Sequence, residues 1–155
     1  LEKMLNKNIE ICEANKSDKS KILISEFLNF KHSRFFKYKN ISKKNAFLIK
    51  KKWIENFFKG KRGDKMYLAK IKSQIIGFVI FLIKKNKATI DLINVKKKFQ
   101  DKKVAKLLIY EFFKKNKRIK YLIAGTQNSN EKAKFFYRSL NLKIKEKFYN
   151  YHLHN

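Results

Sequence analysis

A chain of 155 residues, 44% hydrophobic and 15% aromatic, is long enough to bury the core of one domain and too apolar for intrinsic disorder. Its longest apolar run, Ile75–Ile83, falls well short of the ~20 residues of a membrane helix. The single cysteine, Cys12, excludes an internal disulfide framework, and His152 and His154 are too few ligands for zinc. We therefore expect a cytoplasmic protein with no membrane span and no metal.

The net charge of +28, from 40 basic and 12 acidic residues, has two explanations. A strongly basic chain is typical of nucleic-acid binding. However, only four of the basic residues are arginines, whose planar fork suits phosphates and base edges, and the lysines are spread along the chain. The abundance of Lys, Ile, Phe, Asn and Tyr also follows AT-rich codons. We favour this compositional origin and leave open the steering of an anionic small substrate.

The first half of the chain predicts helices followed by strands. Apolar residues recur at helical spacing over roughly Lys16–Phe30 and Asn45–Phe58, with the irregular segment KHSRFFKYKNIS between them. After a glycine-containing loop, KGKRGD, three apolar runs separated by short polar breaks predict an antiparallel meander. These predicted strands are Met66–Ile71, Gln74–Ile83 and Ala88–Val95.

The second half alternates helices with strands. The predicted elements are a helix over Lys102–Lys115, a strand over Tyr121–Gly125, a helix over Glu131–Leu140 and a closing strand over Lys143–Leu153. Asn130 is a suitable N-cap for the last helix, and Asn141 suits its left-handed end. The order ααβββαβαβ predicts a mixed α/β (α+β) fold with a central, mostly antiparallel sheet flanked by helices.

The segment VKKKFQDKKVAKLL, residues 95–108, has three interpretations: a solvated lysine face, a nucleic-acid patch, or a loop that cradles a pyrophosphate. The last requires backbone N–H groups at a helix N-terminus that point at the phosphates. Gln100, Lys103 and Ala105 resemble the signature Gln/Arg-x-x-Gly-x-Gly/Ala of the GNAT superfamily of N-acetyltransferases, with lysine replacing the first glycine. That resemblance favours the pyrophosphate loop.

A second segment, TQNSNEKAKFFYRSLNL (residues 126–142), is similar to the late GNAT motif Asn-x-x-Ala-x-x-x-Tyr-x-x-x-Gly-Phe. Asn130, Ala133 and Tyr137 match it directly, while Asn141 and Leu142 replace Gly-Phe. The resemblance covers nearly the whole chain from about Ile9. It implies one GNAT domain within residues 1–155, with that superfamily's fold.

Further segments resemble one subfamily, the nucleotide-sugar acetyltransferases that N-acetylate dTDP-linked 4-amino-4,6-dideoxyhexoses such as dTDP-fucosamine. These segments are HSRFFKY, KKWIENFFKGKRGD, IDLINV, TQNSN and the terminal YHLH. The resemblance implies that the sugar's primary amine attacks the thioester of acetyl-CoA directly. It also implies a small-molecule acceptor, without a metal, membrane or nucleic-acid partner, and leaves a homodimer open.

The resemblance also assigns roles to individual residues. Tyr137 is the expected catalytic acid for the departing thiolate, because a phenol with a pKa of about 10 stays protonated at neutral pH. The expected cofactor-binding residues are Ile93, Val95, Gln100, Asp101, Lys102, Lys103, Val104, Ala105, Asn130, Ala133 and Tyr137. The expected acceptor-binding residues are Ser33, Arg34, Phe35, Gln127 and His152. Arg34 would pair with a diphosphate, and the general base is either His152 or a water chain.

Alternatives remain for these roles and for the function. Tyr137 without its motif is a core tyrosine, and Asp91 is either structural or substrate-facing. Other GNAT acceptors are a protein N-terminus, a lysine or a small amine. The rival from a different class is a non-catalytic, basic nucleic-acid-binding module on the same scaffold, whose binding would collapse as salt rises.

Overall fold

A computed structural model describes residues 8–23, 30, 33–100 and 102–149. Five strands form one sheet in the order β1-β2-β3-β4-β5. They are β1 (Glu10–Glu13), β2 (Lys65–Ile71), β3 (Gln74–Lys84), β4 (Lys87–Val95) and β5 (Tyr121–Ala124). The helices are α1 (Lys19–Ile22), α2 (Arg34–Lys37), α3 (Lys43–Phe58), α4 (Val104–Lys115) and α5 (Glu131–Arg138), with 3-10 turns at Lys16–Asp18 and Lys97–Phe99.

The sheet is mostly antiparallel. Strands β1 to β4 pair antiparallel with their neighbours, whereas β5 pairs parallel with β4. A parallel pair needs a long crossover connection, and α4 supplies it between β4 and β5. The predicted meander of β2, β3 and β4 and the predicted fold class, a mixed α/β sheet flanked by helices, are both confirmed.

Helices cover both faces of the sheet and divide the core in two. On one face Leu108 and Phe112 of α4 pack against the sheet, and the Phe112 ring stacks on Phe81 at 3.8 Å between centroids. On the other face Ile54 of α3 packs against Phe78. Strand β3 is therefore buried on both faces, which explains its uninterrupted apolar run.

The N-terminal part of the chain differs from the prediction in two respects. Strand β1 was missed because its four residues, EICE, carry too little alternation, and its pairing depends on the edge that β2 offers. The predicted helix over Lys16–Phe30 is interrupted: a 3-10 turn precedes the short α1, and residues 24–29 lie outside the described residues. The segment predicted to be irregular contains the short helix α2.

The predicted closing strand is not formed over residues 143–149, and the rest of it lies outside the described residues. Residues 143–149 have no regular structure and are exposed, whereas Leu142, just before them, is partly buried. The side chains of Ile144 and Phe148 are 63% and 77% exposed. Strand-like alternation alone did not create a strand here, because neither face of the segment is covered within the described structure.

Candidate active site

The pairing of β4 with β5 stops halfway along β4. Only Lys87–Ile90 pairs with Tyr121–Ala124, while Asp91–Val95 continues against β3 on its other side. Because β5 is too short to reach Asp91–Val95, this part of the β4 edge has no β5 partner. We call the region beside Asp91–Val95 the β4 cleft.

A β-bulge lies where the two strands part. Ile80 pairs with Leu92 and Phe81 with Ile90, so Asp91 is an extra residue in β4. Bulges shift the register by one residue and thereby change which backbone groups point to which neighbour. The bulge at Asp91 follows directly after the last residue that pairs with β5.

Beyond the bulge, the backbone of β4 turns alternate groups toward the cleft. The N–H of Lys96 donates to the Ile76 carbonyl of β3 at 2.9 Å, so alternation directs the N–H groups of Val95 and Ile93 away from β3. The Val95 N–H donates to Asn94 Oδ1 at 2.8 Å, in agreement with this direction. Ile93 and Val95, both predicted cofactor residues, thus present their backbone to the β4 cleft.

Helix α4 begins directly after a left-handed residue. Lys103 has φ 58° and ψ 8°, the conformation that glycine would adopt most easily, at a cost of about 1–2 kcal/mol for a residue with a Cβ. An ammonium group offers no acceptor atom, so the Lys103 side chain cannot cap the first-turn N–H groups, which are those of Val104, Ala105 and Lys106. The backbone shape of an anion-binding helix N-terminus is therefore kept despite the lysine.

Gln100 connects the end of β4 to α5. Its Nε2 donates to the Val95 carbonyl at 2.9 Å, and its Oε1 accepts from Lys132 Nζ at 3.1 Å. The first GNAT-like segment and the second are therefore adjacent in space. Lys102 has its Nζ 5.5 Å from the ring centroid of Phe99, and Asp101 lies outside the described residues.

The termini of α5 form as predicted. Asn130 Oδ1 accepts a hydrogen bond from the Ala133 N–H at 3.1 Å, so Asn130 is the N-cap. Asn141 has φ 61°, the left-handed conformation expected at the end of the helix. Both predictions about these asparagines are confirmed.

Tyr137 lies partly buried on α5, against the core on the α4 face of the sheet. Its ring is 5.4 Å from that of Phe136, centroid to centroid. Burial raises the pKa of Tyr137 to about 12, because the phenolate is poorly solvated there. The phenol therefore keeps its proton throughout the neutral range, which suits a hydrogen-bond donor.

The predicted acceptor residues gather around α2 as far as they are described. Ser33 Oγ accepts from the Phe35 N–H at 3.3 Å, and Lys37 Nζ donates to Ser129 Oγ at 2.5 Å. The second bond fastens α2 to the loop that contains Gln127, whose carbonyl accepts from the Asn130 N–H at 2.9 Å. The side chain of Arg34 and all of His152 lie outside the described residues.

A caged lysine beside α2 was not predicted. The side chains of Phe30, Phe35 and Trp53 surround Lys50, which is only 6% exposed. Lys50 Nζ lies 3.6 Å from the Trp53 centroid, and the ring of Phe35 meets Trp53 edge-on at 6.0 Å. Cation–π attraction of this kind strengthens as the site is desolvated.

Trp53 also contacts a second cation, which joins it to the β4 bulge. Arg62 Cζ lies 3.6 Å from the Trp53 centroid. The same guanidinium donates twice to Asp91, with Nε–Oδ2 and Nη2–Oδ1 distances of 2.7 and 2.6 Å. Asp91 therefore makes a structural contact, the first of the two roles considered for it. No sequence period links positions 62 and 91, so only the fold could have revealed this pair.

Within residues 8–23, 30, 33–100 and 102–149, no group of three or more His, Cys, Asp or Glu side chains is placed to hold a metal ion. None of the helices in this part of the chain has the length and apolarity to cross a bilayer.

Comparison with known proteins identifies the family. Residues 35–144 match the family model described as "Acetyltransferase (GNAT) domain", which is well over half of the chain. The chain therefore belongs to this family of acetyltransferases, enzymes whose acetyl donor is acetyl-CoA. The resemblance noted in the sequence is confirmed at the level of the family.

One curated relative matches most of the chain. The chain is 27% identical over 127 residues to the spore coat polysaccharide biosynthesis protein SpsD of Bacillus subtilis (strain 168), a match covering 81% of this chain and 44% of SpsD. Thus the chain spans less than half of that relative's length.

Solved structures share the fold. The PaiA N-acetyltransferase of Thermoplasma acidophilum, solved in complex with coenzyme A, has a TM-score of 0.74 and 20% identity, covering 90% of this chain and 92% of its own. A Clostridium difficile 630 protein described as "a possible acetyltransferase" has a TM-score of 0.69 and 19% identity, with coverages of 95% and 99%. At these identities the likeness establishes the fold alone.

Proposed function

We propose that this acetyltransferase transfers the acetyl group to the primary amine of a nucleotide-linked amino sugar, specifically the 4-amino group of a dideoxy sugar. The proposal rests on the positive charge of the chain, +28 in all, and on the aromatic acceptor side, where Lys37 is exposed, Lys50 packs against Trp53, and Arg62 is paired with Asp91. A positive potential attracts an anionic nucleotide sugar and repels cationic amines. The similarity to SpsD, a protein named for polysaccharide biosynthesis, supports a sugar acceptor.

The proposed cofactor pose uses backbone groups. The pantetheine arm lies along the β4 cleft and pairs with Ile93 as an added strand would; pairing with Val95 replaces the bonds that its N–H and carbonyl make with the Asn94 and Gln100 side chains. The pyrophosphate lies at the N-terminus of α4, where the Val104 and Ala105 N–H groups and the helix dipole favour negative charge. In this pose Lys103 contributes the left-handed backbone before α4, and the Lys102 ammonium, the Gln100 amide, and Asn130 and Ala133 at the start of α5 border the phosphates.

The proposed chemistry is a direct attack on the thioester. The neutral amine attacks the carbonyl carbon, and the N–H of Ile93 faces the developing oxyanion. As the C–S bond breaks, Tyr137 donates its hydroxyl proton to the leaving sulfur. The proton that the amine loses passes to His152 or to water and returns to Tyr137, so the products are the amide and CoA thiol.

The test is an acceptor panel assayed for release of CoA thiol at near-physiological salt. The panel contains a dTDP-linked 4-amino-4,6-dideoxyhexose, the same amino sugar without its nucleotide, an aminoglycoside and a lysine peptide. We expect the nucleotide sugar to give the highest kcat/KM, with a large loss when the nucleotide is removed. A higher kcat/KM for either cationic acceptor would overturn the proposal.

A salt titration separates this function from the rival nucleic-acid-binding module. Acetyl-CoA binding held by a shaped site persists from low to near-physiological salt, whereas ATP binding through unspecific charge fades. If both ligands fade together and RNA binds more tightly than acetyl-CoA, the basic binding module is the better description.

A further inference from the structure

The loop between α3 and β2 contacts the sheet at three successive residues, all around the β4 bulge. Arg62 holds Asp91 through two hydrogen bonds of 2.7 and 2.6 Å. Gly63, at φ 76°, lies so close to the sheet that a Cβ there would stand 2.5 Å from Ile80 Cγ2. Asp64 donates its N–H to the Phe81 carbonyl at 2.8 Å. Because Ile80 and Phe81 flank the register shift, the loop contacts the β3–β4 pair at its irregular point.

The Arg62–Asp91 pair is well placed to fix the bulge. The side chains of Arg62 and Asp91 are 29% and 7% exposed, so the carboxylate is almost fully withdrawn from water. A buried ion pair is tolerated only with good geometry, and the planar fork of arginine provides that geometry for a carboxylate. Trp53, at 3.6 Å, further restricts the guanidinium.

We propose that Arg62 is a positioning residue for acetyl transfer, which acts through Asp91 to hold the β4 bulge and so the edge of β4 that binds the pantetheine arm. Without the extra residue, a one-residue shift would turn the N–H of Ile93 toward β3 and away from the cleft. The inference rests on the proposed position of the pantetheine arm along β4. It does not depend on which amine is the acceptor.

The experiment compares two ligands of the purified full chain by calorimetric titration at near-physiological salt. Acetyl-CoA carries the pantetheine arm, whereas the nucleotide control, 3′-phosphoadenosine 5′-diphosphate, is the nucleotide end of CoA with its pyrophosphate and without that arm. For Arg62→Met and Asp91→Asn we expect acetyl-CoA affinity to fall about tenfold, a size typical of coupling through a packed contact. The nucleotide control should bind the variants and the wild type alike, because its site at α4 does not involve the bulge.

Two variants serve as controls. Arg62→Lys keeps the charge but loses the fork, so it should reproduce most of the effect, and it carries the test together with Asp91→Asn if Arg62→Met does not fold. Asp18→Asn breaks the Lys70–Asp18 pair, which has a 2.9 Å contact and side chains 17% and 2% exposed, away from the cleft. It should lower Tm and leave both ligand affinities unchanged, which separates a loss of stability from a loss of positioning.

Three results would overturn the proposal. Acetyl-CoA affinity within twofold of wild type in both Arg62→Met and Asp91→Asn would show that this pair does not position β4, and it would leave the proposed cofactor pose untouched. Equal weakening of both ligands would point to lost charge or general disruption. Equal affinity of the wild-type protein for the two ligands would show that the pantetheine arm gains nothing from β4, and the premise would fail with the proposal.

Discussion

The regions proposed to bind the cofactor and the acceptor, here the cofactor side and the acceptor side, differ in the chemical groups that form them. The cofactor side consists mainly of backbone: the edge of β4, the left-handed residue at Lys103 and the N-terminus of α4. The acceptor side consists of side chains, with Lys50, Trp53 and Arg62 stacked together and joined to Asp91. A backbone site tolerates changes of residue type that leave φ and ψ unchanged, whereas a side-chain site does not.

The largest expected effect concerns Tyr137, the one side chain on the cofactor side that the proposed chemistry requires. Tyr137→Phe should lower kcat by roughly 10²-fold or more, as expected for loss of a general acid, and leave acetyl-CoA affinity nearly unchanged. Steady-state thiol release and calorimetric titration measure the two quantities. Tyr110→Phe, the same change at a side chain 64% exposed on α4, is the control and should be silent. An unchanged kcat in Tyr137→Phe would make Tyr137 a core tyrosine.

The acceptor side should lose stability when the ring of Trp53 is removed. Trp53→Ala deletes the contacts with Lys50 and Arg62, so we expect the free energy of unfolding to fall by about 3 kcal/mol. Urea denaturation measures this change. Trp53→Phe keeps an aromatic face for both cations and should lose less than half as much. A loss in Trp53→Phe as large as that in Trp53→Ala would show that an aromatic face alone does not stabilise this side and that the indole itself is required.

The same contrast explains how much could be predicted from the sequence. The central strands, α4 and α5 follow from apolar periodicity, and the caps of α5 follow from the backbone preferences of asparagine at Asn130 and Asn141. The local structure of the segments proposed to bind the cofactor could be predicted because contiguous residues with fixed spacing form it. Even Lys103, an unfavourable substitution for glycine, leaves the local backbone shape intact.

The features that the sequence did not predict all depend on long-range contacts. Strand β1 exists because β2 offers it an edge, and the Arg62–Asp91 pair exists because the bulge brings position 91 to the α3–β2 loop. Neither leaves a period in the sequence. Conversely, the alternation over residues 143–149 predicted a strand that the described structure lacks, since alternation cannot show whether a sheet face is available.

A third prediction concerns how the free energy of unfolding depends on pH through Tyr137 on the cofactor side. Burial raises the pKa of Tyr137 to about 12, above the unfolded value of 10.0. The folded state therefore holds the proton more tightly, and this contribution is complete below pH 10 and is lost as pH rises toward 12. Wild-type protein should lose roughly 2–3 kcal/mol relative to Tyr137→Phe over that interval. Urea denaturation of both proteins at several alkaline pH values checks this, and parallel pH dependence would place the phenol in water.

The smallest expected effect tests the backbone character of the cofactor side most directly. Lys103→Gly relieves the left-handed strain but adds freedom to the unfolded chain, so we expect a gain in stability of at most about 1 kcal/mol. Lys103→Asn, which tolerates the same conformation, should be nearly neutral. Lys85 has φ 56° in the turn between β3 and β4, and Lys85→Gly therefore removes a charge and a strained residue away from the site. Acetyl-CoA affinity should stay within about twofold of wild type in all three variants if backbone N–H groups hold the pyrophosphate. A loss that occurs in both Lys103 variants and not in Lys85→Gly would instead assign the binding to the Lys103 ammonium, and the cofactor side would then depend on side chains as the acceptor side does.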